Sequence, residues 1–270
     1  MDLFFYIFIF LFGLAVGSFL NCAIYRLENN QSFLKGRSFC PHCKHQLGFW
    51  DLMPVLSFLC LRGKCHYCKK GISIQYPLVE LATGLLFLLI FNFQFSISNE
   101  FSIFNFQNLL VIGYWLLVSS FLVIIFVYDL KHYIIPDKVI YPAIIIALIF
   151  NFQFLIFNQF SIFKFSILSA MGAASFFAAI VAISRGKWMG IGDIKLAFLM
   201  GLLLGFPNIA VALFLAFFLG AIIGVGLIML GKKTMKSEVP FGPFLIIGTL
   251  VALLWGQELI NWYVKSFYYY

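Results

Sequence analysis

Met189-Gly190-Ile191-Gly192-Asp193-Ile194-Lys195 puts a carboxylate and an ammonium at the mouth of a long apolar run. Glycines stand on its approach, and the segments on both sides are hydrophobic enough to belong in a bilayer. An ionisable residue at the end or inside of a membrane helix is costly, so it marks a functional site and raises the question of which group shares it. The best candidate is Asp129, which ends the apolar run 109–128 and opens Asp129-Leu-Lys-His-Tyr-Ile-Ile-Pro136-Asp137, after which the chain is hydrophobic again. Two carboxylates at adjacent helix ends on one face of a bilayer are the parts of an aspartyl hydrolase, in which a shared proton lets one act as base and the other as acid. The plainer role for Asp193 is helix capping, since Asp accepts hydrogen bonds from the orphan N–H groups of a first turn. Asp137, directly after Pro136, fits that plainer role better than Asp129 or Asp193.

The composition agrees with a membrane setting. A chain of 270 residues that is 63% hydrophobic and 10% charged, with mean hydropathy +1.02, lies outside the range of soluble globular domains. Crossing roughly 30 Å of hydrocarbon takes about 20 apolar residues in a helix. Apolar runs near 3–25, 77–95, 108–128, 137–157, 165–183, 193–206, 208–231 and 243–262 predict an all-α polytopic membrane protein with about eight transmembrane helices. The first run is expected to stay as a mature helix, because Met1-Asp2 lacks the positive start of a signal peptide. Lys and Arg set the orientation, since short positively charged loops stay in the cytoplasm. With the N-terminus outside, all but Lys164 and Lys265 of the 18 basic residues lie inside, which predicts that both termini are outside. The net charge of +8 is then a topology signal and calls for no nucleic-acid partner.

Residues 27–76 form the only sizeable soluble piece, a cytoplasmic loop between a first transmembrane helix, 1–26, and a seven-helix domain, 77–270. It holds Cys40-Pro-His-Cys43 and Cys65-His-Tyr-Cys68, two C-x2-C knuckles separated by 21 residues. Four thiolates at that spacing predict a tetrahedral structural zinc site of the zinc-ribbon kind. A disulfide framework competes, but cytoplasmic thiols stay reduced. The neighbouring His42, His45 and His66 are expected to face solvent. So small a piece has little apolar core, so the metal would supply much of its stability.

Other polar positions stand out. Gly13 and Gly17 in the first helix have the small-xxx-small spacing that lets another helix approach closely. Asn21 and Arg26 follow near its cytoplasmic end. Trp50-Asp-Leu-Met-Pro54 and the residues after it are too short and broken to span, and suit the membrane surface. Glu80, after Pro77, reads equally as a first-turn residue or as a polar contact to the catalytic side. Pro240-Phe241-Gly242-Pro243 follows a basic linker, 231–237, on the same inner face as both acids. Its prolines hold the backbone non-helical or start a helix, and the convergence on that face favours a substrate-lining role. Two Phe-rich segments, 91–106 and 150–165, alternate Phe with Asn, Gln and Ser in the period of a strand. They fall on the outer face and are expected to be extended or interfacial loops that lengthen the adjoining helices, without a catalytic role.

Taken together, Gly17-Ser-Phe-Leu-Asn21 with Tyr25-Arg26-Leu27, the paired knuckles, Ile72-Ser-Ile-Gln-Tyr-Pro-Leu-Val-Glu80, Asp129 with Ile135-Pro136-Asp137, the Gly190-x-Gly-Asp193-x-Lys195 box and Pro240-Phe-Gly-Pro-Phe244 resemble the prepilin peptidases, the type IV leader peptidase family of bacterial membrane aspartyl proteases. The resemblance implies that Asp129 and Asp193 are the catalytic pair and Asp137 is not. It implies a precursor pilin or pseudopilin with a basic leader and an apolar helix as substrate, cut at the cytoplasmic face of the bacterial inner membrane. It also implies a second activity, methylation of the new N-terminus from S-adenosylmethionine. Trp50-Asp-Leu-Met-Pro54 and the Phe-rich segments depart from the family pattern. Gly190 and Gly192 are expected to admit the substrate strand closely, and Lys195 either tunes Asp193 or anchors the cytoplasmic side. The competing reading is a transporter whose acid pair binds a proton or cation, which the absence of an inverted repeat and the placement of both acids at one face disfavour.

Overall fold

The computed structural model describes residues 3–32, 36–97, 106–156, 160–231 and 239–268. Each apolar run of the sequence is a helix. α1 is Leu3–Glu28; a short 3-10 turn, Trp50–Leu52, and α2, Leu56–Cys60, lie in the loop after it. α3 is Gln75–Ile97, α4 Phe106–His132, α5 Asp137–Ile156, α6 Phe160–Ser184, α7 Ile191–Leu204, α8 Asn208–Met229 and α9 Gly242–Tyr268. In hydrocarbon every backbone group must be satisfied within its own segment, and a helix does this without a partner.

Among the described residues six helices are long and apolar enough to cross a membrane: Leu3–Glu28, Gln75–Gln94, Gln107–His132, Phe163–Ser184, Asn208–Met229 and Gly242–Ser266. The expected eight spans are not confirmed: the other two runs are α7 and α5. α7 has 14 residues, a length of about 21 Å against a hydrocarbon core of roughly 30 Å. It stops at Gly205, whose φ of 62° suits glycine, with Pro207 two residues on. α5 runs toward 157–159, which lie outside the described residues.

The Phe-rich segments form no strand where they are described. Residues 91–97 continue α3 and 150–156 continue α5, so they lengthen the adjoining helices, as expected, but as helix and not as extended loop. A period of two needs a strand partner to be expressed, and a helix needs none. Phe106 opens α4 and residues 160–165 open α6, while 98–105, 157–159 and most of the basic linker, 232–237, lie outside the described residues.

The chain divides into two compact units, Met1–Ile124 and Ile125–Tyr270. In the first, α1 packs along α3. A methyl group on Gly13 would come within 2.8 Å of the Gly84 Cα, and one on Gly17 within 2.7 Å of the Glu80 Cα, so the small-xxx-small face is the seam between these helices. Asn21 closes the seam by donating to the Tyr76 carbonyl at 3.0 Å. Arg26 is buried and turns into the loop that follows, where its guanidinium donates to the carbonyls of Ser32, Gly36 and Arg37.

The second unit is built on α7, which packs against α5, α6, α8 and α9. Leu196, Ala197, Leu199 and Met200 have no exposed surface. Gly201 lies on the backbone of Ala170 in α6 so closely that any side chain there would collide, and Gly248 of α9 stands in the same relation to the Ala212 carbonyl of α8. Close backbone approach of this kind supplies dispersion contacts where lipid removes the hydrophobic drive between helices. Asn151 of α5, buried in that packing, donates to the Leu202 carbonyl at 3.1 Å.

Candidate active site and cysteine cluster

In the second unit two helix starts each meet a carboxylate. Gly190 is the extended residue before α7, and its N–H donates to Asp193 Oδ2 at 3.1 Å. Asp193 therefore caps its own helix, the plainer role read from the sequence. Asp129 lies in the last turn of α4 and accepts a hydrogen bond at 3.0 Å from the N–H of Gly242, the first residue of α9. That N–H has no partner inside its helix, and Pro243 after it has none to offer. Both carboxylates thus face positive helix ends, which favour negative charge. Both are buried, Asp129 at 4% and Asp193 at 9% exposure, and close enough for their charges to repel. Burial and that repulsion both work against two full negative charges here.

The remaining residues singled out in this unit fall around the pair. Gly192 backs onto Ile135, which a methyl on the glycine would meet at 3.0 Å. Lys195 reaches Asp137 Oδ1 at 2.6 Å and lies 4.8 Å over the Tyr141 ring. Asp137 opens α5, but its side chain bonds across to α7 instead of capping α5, because the ammonium is the stronger partner. Tyr141 was not singled out from the sequence, although its spacing of four from Asp137 puts both on one face of α5. Pro240 and Phe241 precede α9, and Phe241 packs its ring on Phe177, Phe217 and Phe244. The Pro-Gly-Pro segment is thus the start of a helix, and it converges on Asp129.

Glu80 belongs to the first unit. It is the sixth residue of α3, beyond the first turn, and its Oε2 accepts the Val55 N–H at 2.8 Å. Val55 has φ 61° and ψ −47°, unusual for a β-branched side chain, and that bond holds the turn into α2. Phe49 and Trp50 beside it are exposed.

The four knuckle cysteines converge, with ligand atoms all within 4.8 Å of one another and the Cys40 and Cys68 sulfurs 3.9 Å apart. A tetrahedral site with bonds of about 2.3 Å needs sulfurs about 3.8 Å apart. The two knuckles repeat one backbone pattern. Cys40 N–H donates to the His45 carbonyl and Lys44 N–H to the Cys40 carbonyl; Cys65 donates to Lys70 and Lys69 to Cys65 in the same way. Each knuckle closes in an isolated bridge, Phe39 to Gln46 and Lys64 to Gly71. All four thiols are free. Burial would raise the Cys40 thiol, but hydrogen bonds from the Cys43 and His42 backbone and the Cys43 and Cys65 thiols hold it down at about 7. At Cys43 a hydrogen bond from the His45 backbone pulls downward, and desolvation with the neighbouring Cys40 and Cys68 sulfurs overrides it, to about 11. His42, His45 and His66 are exposed and outside the sulfur cluster; His45 lies against Tyr67, and His66 stands 3.4 Å from Asp51.

A helical membrane protein with two buried, helix-capping aspartates in one unit and a four-cysteine metal cradle in the other is the class these observations define. Residues 11–93 match the Bacterial Peptidase A24 N-terminal domain, and residues 116–225 match the Type IV leader peptidase family. The chain belongs to that family. It is 34% identical to a prepilin leader peptidase/N-methyltransferase of Legionella pneumophila, over 97% of this chain and 95% of that protein. It is 33% identical to one of Bacillus subtilis, over 95% and 97%, and 32% identical to one of Aeromonas hydrophila, over 96% and 93%. No solved structure matches the chain. Family membership leaves the transporter reading without support.

Proposed function

We propose that the chain is a membrane aspartyl endopeptidase that removes the leader of type IV prepilins or pseudopilins and then methylates the new N-terminus. The observation that carries the reading is the pair of buried carboxylates, each bound to the N–H of a helix start, in a chain similar over its length to proteins named for these two activities. Asp129 and Asp193 are the catalytic residues and share one proton. One carboxylate takes a proton from water as the water oxygen bonds to the scissile carbonyl carbon, and the other gives its proton to the carbonyl oxygen. As the carbon–nitrogen bond breaks, the nitrogen takes a proton from the pair, and water has been added across the peptide bond. Gly242 and Gly190 hold one oxygen of each carboxylate and leave the other for water and substrate.

The substrate carries a short basic leader ahead of an apolar helix, which enters from the lipid. Both termini lie outside and the aspartates at the cytoplasmic face of the inner membrane, where the basic loops gather. The cytoplasmic loop, 27–76, separates the first helix, 1–26, from the protease domain, 77–270. S-adenosylmethionine is the second substrate, donating the methyl group. The test is to incubate the purified protein in bilayers with a prepilin and follow the substrate by mass. A product shortened by the leader, and methylated when S-adenosylmethionine is added, is expected; a prepilin that stays intact overturns the reading.

Cys40, Cys43, Cys65 and Cys68 would hold a zinc ion, which compensates thiolate charge and cross-links the two knuckles. Metal binding of this kind contributes about 10–16 kcal/mol to folding in isolated fingers. One zinc ion per chain is therefore expected by elemental analysis, and Cys65→Ser is expected to lose it and expose 36–71 to protease. Full zinc content in Cys65→Ser would exclude the four-cysteine site.

A further inference from the structure

We propose that the Lys195–Asp137 ion pair, resting on Tyr141, is a clamp that positions Asp193. The inference rests on the reading of Asp129 and Asp193 as the catalytic pair. Residues two apart on a helix lie about 200° apart around it, so Asp193 and Lys195 leave the first turn of α7 on opposite sides. Asp193 is on the buried side, while Lys195 crosses the outer side to Asp137 at 2.6 Å, its ammonium 4.8 Å over Tyr141.

Ahead of α7 the chain holds that turn through Gly190, whose N–H donates to Asp193 and whose carbonyl accepts the Asp193 N–H. Residues 185–190 form no helix or strand and pass through Arg185 at φ 52° and Gly186 at φ 74°. From outside its own helix the turn is held by one stretch of chain, 135–141. Ile135 lies against Gly192, and Asp137 with Tyr141 takes Lys195. Asp193 stands between those two held residues, so their contacts set where its backbone, and with it the carboxylate bound to Gly190, is placed. The Asp137 side chain is 60% exposed and that of Lys195 22%, and so open a pair contributes little to stability. Its effect is on geometry, to which catalysis is far more sensitive.

The experiment measures kcat and KM for prepilin cleavage by the full chain in bilayers. Lys195→Met and Asp137→Asn are each expected to lower kcat about tenfold and to leave KM within about twofold. The double variant is expected to lose no more than either single one, because both changes open the same clamp. Lys195→Arg, which keeps the charge, is expected to retain most of kcat. Asp137 is exposed, so Asp137→Asn reads the same quantity even where a change at Lys195 impairs folding. Single variants with wild-type kcat, or losses that add in the double variant, overturn the clamp. Should those variants behave as wild type while Asp129→Asn and Asp193→Asn are inactive, the clamp alone fails; should the Asp→Asn variants cleave, the functional reading fails with it.

Discussion

Asparagine in place of Asp193 is expected to slow prepilin cleavage by at least about a thousandfold, and asparagine in place of Asp129 by the same order. The substitution is nearly isosteric. The amide oxygen of asparagine still accepts a hydrogen bond, so the Gly190 and Gly242 N–H groups keep their partners and the starts of α7 and α9 persist. What is lost is the proton. An amide neither takes a proton from water nor gives one to the leaving nitrogen, so the remaining carboxylate can fill only half of the cycle. Removing a buried charge close to another also relieves repulsion, so the variants are expected to melt no earlier than the parent chain. The double variant is expected to be no slower than the worse of the two, because groups that act as a unit lose their contribution once. Cleavage near the parent rate in either variant, followed by product mass, would move the chemistry to other residues.

Asp193 was legible because a charge beside an apolar run has nowhere to hide, and the cysteine spacing because tetrahedral metal ligation leaves few alternatives. The bond from Gly242 to Asp129 spans 113 residues, and no local pattern encodes it. The prolines around Gly242 announced a helix start, but which carboxylate meets that start is decided by the packing of the second unit. Asp137 shows the same limit from the other side. Its place after Pro136 suggested a cap, and tertiary structure instead paired it with Lys195, a full positive charge at 2.6 Å. The length of α7 was partly legible, since Gly205-Phe-Pro207 carries a stop signal, yet the apolar run through it suggested a span. The left-handed turn at Val55 had no signal in the sequence at all; it exists because Glu80, 25 residues on, accepts its N–H.

Gly242→Ala is expected to reduce cleavage by on the order of a hundredfold in a protein that still folds. The added methyl carbon would lie 2.6 Å from Asp129 Oδ2 and 3.2 Å from its Cγ, closer than atoms pack, so something must move. What it meets decides the outcome. At Gly201 and Gly248 the obstacle is the backbone of a neighbouring helix, which cannot yield without separating α6 from α7 or α8 from α9. At Gly242 it is the end of a side chain, and a carboxylate can turn about its own bonds. Asp129 would then give up the Gly242 N–H, a charge-assisted bond whose loss costs about 1.5–3 kcal/mol, and its oxygens would leave the position that bond holds. Because alanine suits a helix better than glycine, α9 itself is not opposed, and a modest drop in thermal midpoint with a large drop in kcat is the expected signature. A Gly242→Ala protein cleaving at the parent rate would show that the hold of Gly242 on Asp129 does not set the geometry of the reaction. Asp129 would then have to find its working position only when the substrate arrives.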